Sequence, residues 1–149
     1  MRRLTSADVP ALLARFEAAA DGSLVALSTV FGYSRSELEA WLRDPASLLF
    51  ADADGGLLVQ VADVDRGNAM ARVQLCGRGE AAPVEGLLAA LGSDFGLERL
   101  YSYLFPWESD ERALLLQLGC LHEATFREHL YARGGYQDIE VYGRLEACR

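Results

Sequence analysis

Residues 101–108 carry side chains that suit acid–base chemistry, aromatic rings followed by one carboxylate. We expect Tyr103 and Trp107 to line a pocket for an acceptor substrate and Glu108 to act there as a base. An apolar wall would raise the pKa of that glutamate toward a useful value. The alternative is structural: the rings belong to the core, and Glu108 begins the next helix, where a carboxylate is favoured by the helix dipole.

A second polar group lies on a predicted hairpin near the carboxyl end, over residues 124–132 and 136–146. Strand alternation predicts that one side of this hairpin presents His129, Tyr131, Asp138, Glu140 and Tyr142. A histidine beside carboxylates suits a general base near neutral pH, so His129 is the second candidate catalytic residue. Tyr131 is a candidate for substrate contact. The alternative is an exposed sheet face with cross-strand Arg–Glu pairs.

Several other chemistries have no support in the sequence. All 14 basic residues are arginine, so no lysine can form a Schiff base or serve a phosphate-binding P-loop. Cys76, Cys120 and Cys148 are odd in number and widely spaced, which suits neither a disulfide framework nor a zinc site. The chain contains no HExxH, GxSxG or Walker sequence, and we therefore expect no metal.

Length and composition indicate a single domain over residues 1–149. The chain is 51% hydrophobic and 24% charged, which is typical of a protein that folds around its own core. A net charge of −8 disfavours nucleic-acid binding, which needs a basic surface. No apolar run reaches the roughly 18–20 residues that span a bilayer. We expect a cytoplasmic protein that binds neither membranes nor nucleic acid.

The pattern of elements predicts a mixed α/β (α+β) fold. Two helices come first, one capped by Thr5 and ended by Asp21 and Gly22, the other begun by a capping box of Ser34 and Glu37. The later elements are three antiparallel strands within residues 48–76, a helix with Pro83 near its first position, a strand at 100–105, a helix at 109–118 capped by Ser109, and the hairpin. A strand–helix–strand unit among antiparallel strands predicts a mixed, mostly antiparallel sheet of about six to seven strands with helices on both faces.

This order, with the residues at its joints, resembles the GNAT acyltransferases, most closely the subgroup that acetylates ribosomal-protein and other amino termini. The resemblance covers nearly the whole chain. It is carried by Gly119-Cys120-Leu121-His122-Glu123-Ala124, Arg127, Gly135-Tyr136-Gln137-Asp138 and Tyr142, and upstream by residues 50–64 and Asn68. It implies a GNAT fold and the transfer of an acyl group from acetyl-CoA, or another acyl-CoA, to a small amine or amino terminus.

The resemblance also implies where coenzyme A is held. The diphosphate would lie on backbone N–H groups after the fourth strand, where a helix begins. The residues at the corresponding positions are Leu75, Arg78, Gly79, Ala81, Ala82 and Val84. This stretch departs from the family pattern, because Ala81 replaces a glycine, Pro83 has no N–H and Glu80 adds a negative charge. The family's thiolate-protonating tyrosine falls on Leu115, and its asparagine falls on Glu108.

Three hypotheses remain open from the sequence. In the first, the protein is an N-acyltransferase in which Arg78 and the loop amides hold the diphosphate, and Glu108 or His129 deprotonates the amine. In the second, a protein of the same fold does not use coenzyme A and binds or converts a small molecule by acid–base chemistry in a biosynthetic pathway. In the third, it is a non-catalytic interaction module that forms a homodimer through exposed sheet edges.

Overall fold

A computed structural model of the chain describes residues 1–18, 35–44 and 48–145. The predicted end of the first helix at Asp21 and Gly22, the cap at Ser34, and Cys148 lie outside these ranges. Among the described residues, none of the helices combines the length and apolar character that crossing a membrane requires.

Within the described residues, seven strands form one mixed sheet in the order β1-β2-β3-β4-β5-β7-β6. They are β1 (Arg2–Arg3), β2 (Leu48–Ala51), β3 (Leu57–Asp65), β4 (Met70–Gly77), β5 (Arg99–Leu104), β6 (Leu121–Ala132) and β7 (Gly135–Leu145). The pair β4–β5 runs parallel, and the five other neighbouring pairs run antiparallel. The prediction of a mixed, mostly antiparallel sheet is confirmed.

Helices cover both faces of this sheet, as predicted. In the described residues they are α1 (Val9–Ala18), α2 (Arg35–Arg43), α3 (Ala81–Phe95) and α4 (Ser109–Gln117). The two faces follow from strand alternation. Leu57, Val59 and Val61 of β3 pack in one core with α3 and α4, whereas Leu58, on the opposite side of β3, packs in a second core with Val9 and Leu12 of α1.

The element boundaries differ from the prediction in three places. Strand β1 was not predicted, because two residues that pair with β2 are too few to show a periodicity. Pro83 is the third residue of α3, not the first, which is tolerated because the first four N–H groups of a helix have no intrahelical acceptor. Helix α4 is capped by Glu108 instead of Ser109.

The parallel pair β4–β5 separates partway along its length. Backbone pairing runs from Met70 opposite Arg99 to Arg72 opposite Tyr101 and then stops, although both strands continue. We call the space between residues 73–77 of β4 and 102–104 of β5 the β4–β5 gap. Because buried backbone groups need hydrogen-bond partners, the residues beside this gap must obtain them from elsewhere.

The carboxyl end of β4 is held by an arginine from α1. The Arg15 guanidinium donates to the carbonyl oxygens of Gly55 at 2.5 Å, Gly56 at 3.0 Å and Cys76 at 3.2 Å. It thereby joins α1 to the β2–β3 turn and to β4. Gly77 follows with φ +97°, a conformation that favours glycine, and a Cβ there would lie 2.2 Å from the Gly56 oxygen and 2.7 Å from Arg15 Nη2.

The substitution Gly77→Ala is therefore expected to lower the free energy of unfolding by about 2–5 kcal/mol, from backbone strain together with steric overlap. Urea denaturation measures this change. Gly96→Ala is the matched control, because Gly96 also has a positive φ of +65° but no atom within 4 Å of the added Cβ. It should cost only about 1 kcal/mol. Equal losses in the two variants would contradict the packing argument at Gly77.

Candidate functional site

The β4–β5 gap is bridged by the side-chain amide of Gln74. Its Nε2 donates to the Tyr103 carbonyl oxygen at 2.7 Å, and its Oε1 accepts from the Tyr103 N–H at 2.7 Å and from Ser102 Oγ at 3.1 Å. Gln74 is only 1% exposed. One side chain of β4 thus supplies the Tyr103 backbone of β5 with the partners that the missing strand pairing does not.

Two further bonds connect the end of β4 to the first turn of α4. Glu111 Oε1 accepts the Gly77 N–H at 2.8 Å, and Arg78 Nε donates to Asp110 Oδ2 at 2.6 Å. Arg78, the residue predicted to hold a diphosphate, is thus already paired with a carboxylate, and this contact raises the pKa of its guanidinium. Both partners are exposed, so the pair contributes little free energy and can be exchanged for another anion.

Helix α3 begins at the position where the family resemblance implies a binding site for the diphosphate. The N–H groups of Ala81, Ala82 and Val84 lie in its first turn, but Glu80 caps it without a side-chain hydrogen bond. The Leu75 and Val84 side chains are fully buried in the core, so only their backbone can meet a ligand. A Cβ at Gly79 would lie 2.7 Å from the Leu57 side chain, which explains the glycine there.

A groove of about 390 Å³ lies between the start of α3 and the end of α4. It is lined by Ala81, Ala82, Glu85, Gln117, Leu118, Gly119 and Arg144. Arg144 donates to Glu85 Oε2 at 2.7 Å within this groove. One arginine beside the positive end of a helix is an arrangement suited to an anion, and Glu85 is the carboxylate that an anion would displace.

Glu108 is a buried carboxyl group between the end of β5 and α4. It is 2% exposed, its Oε2 accepts the Phe105 N–H at 2.7 Å, and its Oε1 is buried with no hydrogen-bond partner among the described residues. Burial raises the pKa of Glu108 to about 8, helped by Glu111 and opposed by the Phe105 N–H and nearby arginines. Glu108 can therefore exchange a proton near neutral pH.

An aromatic wall stands next to Glu108 in the chain. The Trp107 ring stacks on Phe105 with centroids 4.9 Å apart, and the Arg133 guanidinium from the β6–β7 turn lies 4.1 Å from the Trp107 centroid. Trp107 Nε1 is buried without a partner among the described residues. The predicted partner Tyr103 packs its ring on Tyr101 instead, at 5.6 Å. The hairpin turn, rather than Tyr103, completes this wall with a side chain.

The predicted polar face of the hairpin divides into two groups. Near the turn, the Tyr131 ring packs on Tyr136, the His129 ring on Phe126, and Asp138 accepts the Glu128 N–H. Farther along, Glu140 accepts two bonds from Arg112 of α4 and one from the Tyr142 hydroxyl. A register shift in β6 lies between Phe126 and Leu130, and the pairing of Tyr131 with Tyr136 beyond it keeps Tyr131 on the side of β7 that carries Asp138 and Glu140. His129, within the shift, contacts Phe126, which alternation assigned to the opposite side of the strand.

Leu115, the question of a metal site and two residues that the sequence analysis missed remain to be located. Leu115 is 2% exposed in the core and offers no proton donor from α4. Across residues 1–18, 35–44 and 48–145, no group of three or more His, Cys, Asp or Glu side chains is placed to hold a metal ion. Gln74 and Glu111 were missed, although a glutamine inside the apolar run Val73-Gln74-Leu75-Cys76 is a signal for a specific buried bond.

The buried carboxyl group makes a prediction for stability against pH. The unfolded chain releases this proton near pH 4.5 and the folded protein near pH 8, so stability should fall between these values as pH rises and level off above them. Glu108→Gln carries a neutral amide of the same shape, and urea denaturation should show it more stable than the wild type at pH 8–9, on the order of a few kcal/mol.

At pH 4 the two proteins should differ little, because the wild-type carboxyl is then protonated in both states. Glu80→Gln, which changes an exposed carboxylate without a side-chain cap bond, should keep the wild-type pH profile. A wild-type profile in Glu108→Gln would show that Glu108 is not the group responsible.

The architecture was compared with those of known proteins. Neither the family models nor the curated proteins include a match to the chain. Among solved structures, a chimera of spermidine N-acetyltransferase SpeG from Vibrio cholerae and hSSAT is 18% identical with a TM-score of 0.74, covering 97% of this chain and 95% of its own. A probable acetyltransferase is 19% identical with a TM-score of 0.76, covering 97% and 91%.

A third structure, ribosomal-protein-S5-alanine acetyltransferase from Vibrio fischeri, is 15% identical with a TM-score of 0.74 and covers 98% of this chain and 92% of its own. These matches extend over nearly the full length of both chains in each comparison. At such low sequence identity, these matches support a shared fold. The chain has the GNAT acetyltransferase fold, as its sequence resemblance implied.

Proposed function

We propose that the protein is an acyltransferase that moves an acyl group from an acyl-CoA to a small amine or an amino terminus. The observation that carries this proposal is Glu108, a buried carboxyl group with one unpartnered oxygen and a pKa raised to about 8. It lies where β5 ends and α4 begins, and Glu111, one turn along α4, contacts the end of β4. The fold shared with acetyltransferases supports the same conclusion.

In this proposal Glu108 is the general base. Bound acyl-CoA would supply a thioester carbonyl that an amine attacks; the C–N bond forms, the C–S bond breaks, and coenzyme A leaves as a thiolate that takes up a proton from water. The Phe105 N–H orients the carboxylate through Oε2, which leaves Oε1 to accept the proton of the attacking amine. A base is effective when its pKa lies near the working pH, and burial brings Glu108 into that range. Trp107 and Arg133 form the adjacent wall against which the acceptor would pack.

The coenzyme would be held by the start of α3 and the groove beside it. Ala81, Ala82 and Val84 offer N–H groups in the first turn, and Arg144 lies in the groove between α3 and α4. Arg78 would leave Asp110 and turn to the diphosphate, a change that its exposed position permits. The Asp110 carboxylate would therefore compete with the diphosphate for Arg78.

Two matched substitutions test this binding site. Calorimetric titration with acetyl-CoA should show Arg78→Ala weakening the interaction by roughly 3–10-fold, since one charged contact is lost. Asp110→Asn should strengthen it, because Arg78 is released and a negative charge is removed. The same direction of change in both variants would contradict a role for Arg78 in binding the diphosphate.

A kinetic experiment tests the base. Glu108→Gln should lower kcat for acetyl transfer to an amine by roughly 10²–10⁴-fold and leave the dissociation constant of acetyl-CoA unchanged. In the wild type, kcat/KM should rise with pH toward the Glu108 pKa of about 8. His129→Gln, on the hairpin, is the control and should keep activity. A fully active Glu108→Gln enzyme would overturn the assignment.

A second candidate function is favoured by the carboxylates around the coenzyme site. Glu80 caps α3, Asp110 accepts a hydrogen bond from Arg78, and Glu111 accepts one from the Gly77 N–H. Here the protein does not use coenzyme A, and Glu108 performs acid–base chemistry on another small molecule. This alternative predicts no heat of binding for millimolar acetyl-CoA with either the wild type or Asp110→Asn, while circular dichroism shows both to be folded.

A further inference from the structure

The wall beside Glu108 contains a cation, the Arg133 guanidinium, whose centre lies 4.1 Å from the Trp107 ring centroid. We propose that Arg133 makes this site selective for amines that carry a carboxylate: the amine meets Glu108, and the carboxylate binds the Arg133 guanidinium and the Trp107 indole N–H. The inference deepens the acyltransferase function proposed above and rests on it for the amine. It assigns Arg133 the role of a specificity-determining residue.

Two consecutive residues in this wall each bury a polar atom that has no hydrogen-bond partner among the described residues. Trp107 Nε1 is a donor that needs an acceptor, and Glu108 Oε1, in a carboxylate, is an acceptor that needs a donor. Such atoms are rare in folded proteins, because each has lost its hydration without compensation. A ligand that satisfies both atoms must present one acceptor and one donor, and an amine that carries a carboxylate presents both.

Arg133 determines which acceptor group on the ligand is favoured. It is exposed at the β6–β7 turn, and together with Arg112 it opposes the rise in the pKa of Glu108, so its charge acts at this site. The Arg112 side chain donates twice to the Glu140 carboxylate. A carboxylate on the ligand is attracted by the positive charge of Arg133, a neutral amide is attracted less, and a second ammonium group is repelled.

The overall charge of the chain cannot provide this selectivity. A net charge of −8 attracts cations and repels anions at long range. A preference for a carboxylate over an ammonium group therefore requires a cation at the site itself, and Arg133 supplies it.

The backbone of the β6–β7 turn indicates that this arginine is present for its side chain. Ala132 pairs with Gly135, so Arg133 and Gly134 form a two-residue turn, with φ values of +51° and +80°. Two positive φ values are typical of a type I′ turn, in which asparagine, aspartate or glycine is favoured at the first position. Arginine is strained there, and such strain is typical of positions that serve a function.

The experiment compares Arg133→Asn with Arg66→Asn. Asparagine is favoured in the type I′ turn, so Arg133→Asn removes the cation without disturbing the hairpin. Arg66 is the matched control, because it is also exposed and its guanidinium lies 5.2 Å from the Phe95 ring centroid. It precedes β4 at the end of the sheet where β5 begins, whereas Trp107 follows the end of β5.

The first readout is binding in the absence of acyl-CoA. The probes are glycine, β-alanine and 4-aminobutyrate, each compared with its primary amide, which keeps the amine and an acceptor oxygen but has no negative charge. NMR follows binding at the Trp107 indole N–H, and the loss of one indole signal in Trp107→Phe assigns it. At least one acid should shift this signal in the wild type, and its amide should bind roughly tenfold more weakly.

The variants should separate in the same titration. Arg133→Asn should remove the difference between acid and amide, and Arg66→Asn should keep it. A cationic probe, 1,3-diaminopropane, should bind the wild type more weakly than β-alanine does, because Arg133 repels its second ammonium group.

The second readout is acyl transfer from acetyl-CoA to the same pairs of amines. The ratio of kcat/KM for an acid to kcat/KM for its amide should fall roughly tenfold in Arg133→Asn, mainly through KM, and stay unchanged in Arg66→Asn. Any effect of the substitution on Glu108 acts on both members of a pair, so it cancels in the ratio. A purely structural role for Arg133 would leave the ratio unchanged.

The outcomes separate this inference from the acyltransferase function. A preference for acids that disappears in Arg133→Asn alone supports the inference. No response to the acids, equal responses to acid and amide, or the same loss of preference in Arg66→Asn overturns it, and acyl transfer without such a preference leaves the acyltransferase function standing. Binding of acids without acyl transfer to any amine overturns that function, and the role of Arg133 in acceptor choice then falls with it.

Discussion

The structure depends on how two parallel strands can separate inside a sheet without losing hydrogen bonds. Backbone pairing of β4 and β5 stops after Arg72 and Tyr101, and every buried N–H and C=O beyond that point needs another partner. Gln74 supplies the partners for Tyr103, and Glu111 supplies one for Gly77. These side chains keep the β4–β5 gap while preserving the sheet on both sides of it, and α4 is fixed against β4 as a result.

The same arrangement explains why a carboxyl group is buried at Glu108. Helix α4 begins shortly after β5, which lets Glu111 reach β4, and its N-cap residue Glu108 is buried there with its carboxyl group on the Phe105 N–H. The Phe105 N–H compensates one carboxyl oxygen, and the other is left without a protein partner. Burial of a half-satisfied acid opposes folding at alkaline pH, and that cost is typical of positions kept for chemistry.

Local patterns in the sequence predicted most of the fold, and contacts between distant residues explain what they missed. The Thr5 cap, the apolar run of β3 and the glycine-rich hairpin turn are local signals, and the described elements follow them, with Thr5 capping the 3-10 turn Ser6–Asp8 directly before α1. The aromatic–carboxylate segment was predicted as a site because its residues are consecutive. Gln74 was missed because its partner is 29 residues away. The register shift in β6 was also not predicted, because it lies at Glu128, whose N–H bonds to Asp138 on the other strand.

Fold and coenzyme use are separate questions for this protein. The backbone groups of Tyr103 and Gly77 beside the gap obtain partners from an amide and a carboxylate of the chain itself, so these hydrogen bonds do not require a coenzyme. In the proposed acyltransferase, Arg78 would have to leave Asp110 to reach the diphosphate. The fold is compatible with either proposed function, so the choice between them rests on the carboxylates beside the start of α3 and not on the architecture.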